Sequence, residues 1–374
     1  MQKTILLMAG GTGGHIFPAL AVGHYLRDKG WKLHWLGSEN GMEQDLVPKH
    51  AIDMTLLPVS GVRKKGLLSL IKAPFQLLKS VLLARKAIKA IKPDVVLGMG
   101  GFASGPGGLA AKLCGVPLVI HEQNAIAGMT NRQLNRFSQW TLQAYPGAFA
   151  ANKKVKTLGN PVRTDIFHIA DANERIKDKE GSINILIVGG SRGAAVFNER
   201  LPETMNIVND GLYLDVRHQC GKGNSQAVNE RYNNGTNQRL NFCVTEFIED
   251  MAEAYAWADL VICRAGALTV AEVAMAGCAA IFVPYPHAVD DHQTHNARYL
   301  ADQGAAVIIQ QHDLSEQVLA QNITALANNK QHIIDMAQKA RSLAKPNATQ
   351  EVAAYCELAA GVSITDETEG KNGY

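Results

Sequence analysis

The sequence has no run of about 18 or more apolar residues, which excludes a membrane-spanning helix. Its opening, MQKTILLMAGGTGGH, breaks into glycines before the apolar core of an export signal is complete, so export is not expected. Cysteine is sparse and scattered: positions 114, 220, 243, 263, 278 and 356 form no C-x-x-C pair. That argues against a disulfide framework and a thiolate zinc site, and for buried thiols in a reducing cytoplasm. An excess of one charge is missing too, since 37 basic residues face 34 acidic ones, and a net +3 is too small to indicate nucleic acid by itself. What is there is an ordinary soluble balance, 47% apolar and 19% charged, over 374 residues, enough for two domains with separate cores.

The chain is organised around Cys263 to Ala297. An apolar strand (Leu260, Val261, Ile262) passes through Arg264-Ala265-Gly266-Ala267 into a helix carrying Thr269 and Glu272. Small residues let backbone N–H groups crowd around a ligand. The first turn of a helix leaves four such donors unpaired, with a partial positive charge behind them, which suits a phosphate. Glu272 has two readings: a carboxylate that accepts from the vicinal hydroxyls of a ribose, or the partner of Thr269 in a capping box. A second buried strand, Ala279 to Val283, exits through Pro284-Tyr285-Pro286 into a polar loop with His287, Asp290, Asp291, His292, Gln293 and Asn296. Open α/β sheets bind ligands just beyond the carboxyl ends of their strands.

In the first half, Ile5 to Met8, the turn Ala9 to His15 and a helix beginning at Pro18 read as the start of a doubly wound sheet. The glycines resemble a dinucleotide fingerprint, but the acid expected about 20 positions later is missing: the strand Lys32 to Leu36 ends in Gly37-Ser38, and Glu39 comes too late. A nicotinamide or flavin cofactor is therefore not expected. A lone histidine is more often a capped or buried residue, but four glycines around His15 leave its imidazole unobstructed. Since histidine ordinarily titrates at about 6.5, we read it as a general base. A second glycine turn, Gly98 to Gly108, opens a helix over Leu109 to Leu113, and the strand Pro117 to Ile120 delivers His121-Glu122-Gln123-Asn124 at its end. So many glycine turns suggest backbone brought close to a bulky phosphorylated ligand.

Gly61 to Lys92 holds nine basic residues and no acidic one. Pro74 suits a helix start, and Phe75 to Ile91 reads as helix with a core stripe of Leu77, Val81, Ala84, Ile88 and Ile91. A second stripe, Ile71, Phe75, Leu78 and Leu82, lies among the lysines. It fits an anionic membrane surface better than a helix buried between two layers, a solvated face with a partner, or nucleic acid, whose stacking aromatics are lacking.

The turn Gly159 to Arg163 marks a domain boundary, giving 1–162 and 163–343. Ile183 to Val188 with Gly189 to Ala195 then repeats strand, glycine loop and helix, so two similar halves would face each other across a cleft. Strands are expected over Leu214 to Gln219, Asn241 to Val244 and Leu260 to Ile262, a last helix over Ala348 to Ala360, and a polar tail over 361–374 with nothing to pack. His292 and His295 have H-x-x-H spacing, but no D-x-D stands at a strand end, and no metal is expected.

The segments GGTGGHIFPALAV, GMGGFASGPGGLAA, HEQNAIAGMTNR, GNPVRTD, GGSRGA and CRAGALTVAEVAMAG with DDHQTHNA run in order from Thr4 to about residue 360, and together they resemble the MurG family of bacterial peptidoglycan glycosyltransferases. The resemblance implies an α/β GT-B fold of two Rossmann-like domains, with the C-terminal helix crossing back to the first. It implies inverting transfer of N-acetylglucosamine from UDP-N-acetylglucosamine to the C4 hydroxyl of N-acetylmuramic acid in lipid I, giving lipid II, by a peripheral enzyme on the cytoplasmic face of the inner membrane. It carries donor contacts onto Thr12, Gly13, Gly14, Asn124, Arg163, Ser191, Ile248, Ala267, Leu268, Thr269, Glu272 and Gln293, with Val270 and Ala271 in the same helix turn. It makes His15 the expected catalytic base and Glu122 the second candidate. Other readings are a UDP-sugar epimerase or lipid-disaccharide synthase of the same fold, or a non-catalytic UDP-sugar binder.

Overall fold

The computed structural model describes residues 2–39, 41–59, 67–176, 181–190, 193–208 and 211–363, excepting the side chains of 67–73 and 289. It contains two compact units, Met1–Val162 with Asn347–Tyr374, and Arg163–Pro346. The first is built on β1 (Thr4–Met8), β2 (Lys32–Ser38), β3 (Asp53–Leu57), β4 (Val95–Gly98), β5 (Leu118–Glu122), β6 (Trp140–Gln143) and β7 (Val155–Thr157). Their order is β3-β2-β1-β4-β5-β6-β7, and every pair is parallel. The second holds β8 (Ser182–Val188), β9 (Tyr213–Gln219), β10 (Leu240–Thr245), β11 (Leu260–Cys263), β12 (Ala279–Phe282) and β13 (Ala306–Ile308). These run β10-β9-β8-β11-β12-β13, again all parallel. Runs such as Ile5-Leu6-Leu7-Met8 and Ile185-Leu186-Ile187-Val188 are buried along their length because helices cover both faces of each sheet.

In both sheets the order reverses beside the first strand, between β1 and β4 and between β8 and β11. That reversal opens a crevice at the strands' carboxyl ends, and the glycine turns sit there. In the first unit the two turns press backbone on backbone. A Cβ on Gly101 (φ +89°) would lie 2.6 Å from the Gly10 carbonyl oxygen and 2.8 Å from its nitrogen. Gly101→Ala is therefore expected to destabilise the protein by about 3 kcal/mol or more, from backbone collision and left-handed strain together. Thermal denaturation measures this, and an unchanged midpoint would contradict the packing.

The basic segment departs from expectation at two points. The helix is longer, Leu67–Ile91, with Pro74 inside it: the neighbouring Leu, Ala and Lys residues favour helix strongly enough to offset the one hydrogen bond that proline removes. Leu77 does not join the core. It is 50% exposed, while Val81, Ala84 and Ile88 are buried and Ile91 is half-buried. Phe75 (74%), Leu78 (58%) and Leu82 (53%) are exposed beside the equally exposed Lys79, Arg85, Lys86 and Lys89, which overturns burial between two layers. The Ile71 side chain lies outside the described residues. Among the described residues no helix is long and apolar enough to cross a membrane.

The last helix, Ala348–Ala359, inserts Val352, Ala353, Cys356 and Ala359 into the core around Ile5, Leu7, Val95 and Leu97. Glu357 pairs with Lys29 (3.1 Å), and Lys3 Nζ donates to the Ala360 carbonyl (3.0 Å). Val362 also packs on this core, so the chain continues to find partners past residue 361.

Candidate active site

In the first unit, β1 ends in a turn and the Gly13–Asp28 helix begins with extended Thr12 as its N-cap. The Thr12 side chain makes no capping hydrogen bond, and no acid lies in the first turn. Intrahelical bonding starts with the His15 and Ile16 amides donating to the Thr12 carbonyl, so Gly13 and Gly14 present the positive end of the helix. The half-buried His15 ring leans over the β4 turn, where a Cβ on Gly100 would come within 3.0 Å of Nε2.

Glu122 and Asn124 stand at the end of β5. The Glu122 carboxylate is buried and accepts from four donors: the Asn124 N–H (3.0 Å) and Nδ2 (3.2 Å) on one oxygen, the Gly128 N–H (3.0 Å) and Asn131 Nδ2 (2.9 Å) on the other. Its lone pairs are committed to shaping the loop from Asn124 to Asn131, which argues against its reading as a base. His121 is wholly buried, with a pKa pushed down to about 4 by desolvation.

In the second unit, β11 runs through Arg264 into the Ala267–Ala276 helix. Arg264 braces the turn from beneath: its guanidinium donates to the carbonyls of Val283 (3.0 Å) and Pro284 (3.2 Å) and to Gln311 Oε1 (2.7 Å), and lies over the Phe197 and Tyr285 rings. Asn296 Nδ2 donates to the Ala265 carbonyl (3.2 Å). Extended Gly266 is the N-cap, without a side-chain cap, and no acid occupies the first turn. The capping-box reading of Thr269 and Glu272 therefore fails, because Thr269 is already the third helical residue. Ala267, Leu268 and Thr269 form the opening turn. Val270 is buried and its N–H already donates to the Gly266 carbonyl (2.9 Å), so it is not placed as a ligand donor, while Ala271 is half-buried behind that turn.

Glu272 is buried and accepts from the Tyr255 hydroxyl (3.3 Å). Desolvation raises its pKa to about 7, against the pull of the Arg163 charge and the Tyr255 hydrogen bond. A carboxylate poised in this way gains from any ligand that brings it hydroxyl donors. Half-buried Arg163 stands at the start of the Thr164–Phe167 helix. Ile248 lies half-buried in the loop after β10, and Gln293 accepts from the Tyr285 N–H (2.9 Å) at the start of the His292–Ala301 helix. Asp290 and Asp291 take left-handed φ values of 53° and 50°, and Asp291 Oδ1 accepts from the Thr294 hydroxyl (2.8 Å). His295 Nδ1 donates to the Asp291 carbonyl (3.1 Å), and among the described residues no three His, Cys, Asp or Glu side chains gather as a metal site requires. Ser191 lies outside the described residues.

Two residues of these sites escape a reading by spacing. Tyr255 is one, an aromatic on a core face. Glu43 is the other: the short Glu43–Leu46 helix turns its carboxylate back onto the Gly10-Gly11 turn.

Two parallel sheets of this order, each with a helix N-terminus aimed out of its switch point, are the paired Rossmann-like units of the GT-B class. Residues 5–143 match the glycosyltransferase family 28 N-terminal domain and 184–352 its C-terminal domain, and the chain belongs to that family. It is 52% identical, over 98% of its length and the whole of the relative, to the UDP-N-acetylglucosamine--N-acetylmuramyl-(pentapeptide) pyrophosphoryl-undecaprenol N-acetylglucosamine transferase of Aeromonas hydrophila. The Marinobacter nauticus protein of the same name is 49% identical over 96% of this chain and 98% of its own. The crystal structure of Acinetobacter baumannii MurG superposes with a TM-score of 0.84 at 45% identity, covering 95% of this chain and 99% of that one.

Proposed function

We propose that this protein transfers N-acetylglucosamine from UDP-N-acetylglucosamine to the C4 hydroxyl of N-acetylmuramic acid in lipid I, forming lipid II for peptidoglycan, with inversion. The observation that carries the reading is identity of 52% spanning the entire length of a transferase named for that reaction. In the reaction, His15 Nε2 takes the acceptor hydroxyl proton as that oxygen attacks the anomeric carbon. The bond from this carbon to the β-phosphate oxygen breaks, and its electron pair leaves with UDP. The Ala267 to Thr269 turn, Arg163 and Ser191 meet the developing charge, which is the largest single source of rate in such displacements. Glu272 holds the ribose, backbone near Ile248 the uracil edge, and Gln293, Asn124, Thr12, Gly13 and Gly14 the remaining polar groups of the donor. Incubation with radiolabelled UDP-N-acetylglucosamine and a prenyl-linked muramyl acceptor should yield a lipid-soluble labelled product. Free sugar released without acceptor would instead indicate an epimerase, and no turnover a pure binder.

A prenyl-anchored acceptor requires the enzyme to sit on a bilayer, here the cytoplasmic face of the inner membrane. The exposed Phe75, Leu78 and Leu82, with lysines around them, support that contact, the apolar groups entering the headgroup boundary and the cations meeting anionic lipid. Phe75→Glu with Leu78→Glu is expected to lower binding to anionic vesicles by about tenfold or more while turnover of a soluble short-chain acceptor persists. Vesicle sedimentation reads this directly, and undiminished binding would remove the membrane role from this face.

A further inference from the structure

One peptide bond in the first glycine turn is held from both sides. The Gly11 N–H donates to Glu43 Oε2 (3.0 Å), and the Gly10 carbonyl, the other end of the same amide, lies 3.1 Å from His15 Nδ1. A carbonyl can only accept, so the imidazole proton is on Nδ1 and the basic lone pair on Nε2. Thr12 Oγ1 is 3.5 Å from Nδ1, too long to compete for that proton. The amide is trans, so its N–H and C=O point in opposite directions within one plane, and the carboxylate and the imidazole bind at opposite edges of one conjugated unit.

Glu43 is fully buried, and its other oxygen accepts from the Ser38 N–H (2.9 Å) and hydroxyl (2.6 Å). Burial pushes its pKa up, but the hydrogen bonds from Ser38 and Gly11 outweigh burial and hold it below the ordinary carboxylate range, so it is charged at neutral pH. The space is shaped for it, since a Cβ on Gly10 or Gly41 would collide with the carboxylate. A buried charge is a costly way to fix a turn that neutral groups could hold.

We propose that Glu43 is a positioning residue that tunes His15 through the Gly10–Gly11 amide. By accepting the N–H it drives electron density onto the Gly10 oxygen, which becomes a stronger acceptor for Nδ1–H, fixes that tautomer and makes Nε2 more basic. No proton passes through the amide. The arrangement does what a carboxylate does in direct contact with a catalytic histidine, with a peptide plane interposed. Among the described residues, the Gly10 carbonyl, the Thr12 hydroxyl and the Gly100 backbone lie against the ring, and Ser38, Gly10, Gly11, Gly37 and Gly41 lie against Glu43. The inference deepens the reading of His15 as base and rests on it for its catalytic consequence.

The test is an NMR titration of ring-labelled histidines in the full-length protein, with the His15 signal assigned by its loss in His15→Gln. In Glu43→Gln the His15 pKa should fall by about 0.5, less than a direct ion pair would produce, and the fraction protonated at Nδ1 should fall with it. The acid limb of kcat/KM should move by the same amount, and kcat should drop by about two- to threefold with little change in KM for the sugar nucleotide. Ser38→Ala gives the opposite sign: losing the serine hydroxyl concentrates carboxylate charge on Gly11 N–H and should raise the His15 pKa. It also keeps the test decisive if Glu43→Gln fails to fold. A His15 pKa and tautomer unchanged in a folded Glu43→Gln, or unchanged in Ser38→Ala, would overturn the coupling. A shifted pKa without a matching shift in the rate profile would uphold the coupling and remove His15 from the base role.

Discussion

His15→Ala is expected to lower kcat for sugar transfer by about 10²- to 10⁴-fold, the range a positioned general base contributes, while KM for UDP-N-acetylglucosamine changes by no more than about twofold. The expectation follows from the tautomer: the Gly10 carbonyl fixes the proton on Nδ1, which leaves Nε2 to accept one from the acceptor hydroxyl. Glu122→Ala should behave differently. Four donors lose their shared acceptor, so its thermal midpoint should fall, whereas the acid limb of its rate profile should stay where the wild type has it. Steady-state transfer to a short-chain prenyl acceptor across pH measures both variants. An undiminished rate in His15→Ala would take that residue out of the chemistry.

The second large effect concerns Glu272. Its carboxyl titrates at about 7 because burial penalises the anion, with Arg163 and Tyr255 only partly compensating. A folded-state pKa above the ordinary carboxylate value means that this group favours the folded state below that ordinary value, and the advantage is lost as pH rises through 7. On the proposed reading, in which Glu272 holds the ribose, the hydroxyls stabilise the anion, so binding should lower the pKa and release a proton. Affinity for UDP should therefore climb as pH rises through about 7 and level off above it. Glu272→Gln keeps the shape and removes the charge. It should weaken UDP about 10- to 100-fold, abolish that pH dependence, and leave stability at alkaline pH equal to or above wild type. Calorimetric titration with UDP at several pH values provides the check. Wild-type affinity that falls with rising pH would reverse the assignment of the ligand-binding form.

How much of this was legible beforehand depended on how local the physics is. Unbroken apolar runs followed by glycines marked β1, β4, β8 and β11, because a strand covered on both faces must be apolar and a switch-point turn must be narrow. A strand as short as β13, three residues long, carries too little pattern to show. The helix at Ala267 was visible, but its first residue was not: Thr-x-x-Glu spacing fitted a cap as well as it fitted an interior turn, and only Gly266 in extended conformation with Glu272 buried against Tyr255 separates the two. Leu77 failed for a related reason, since a helical wheel gives the angle of a side chain and not whether a neighbour covers that end of the helix. Glu43 was hidden because its target is a backbone amide 32 positions earlier, and amides leave no trace in the sequence.

The helix Ala348–Ala359 completes a core whose other members begin at Ile5. Residues of β1 therefore wait for a helix made only after the whole Arg163–Pro346 unit before their apolar centre is closed, although that intervening unit has everything it needs as soon as Pro346 has left the ribosome. Birth order and maturation order are thus reversed in this molecule. The nascent first sheet stays with one flank unsealed while the Arg163–Pro346 unit is being made, a window in which chaperone protection counts most.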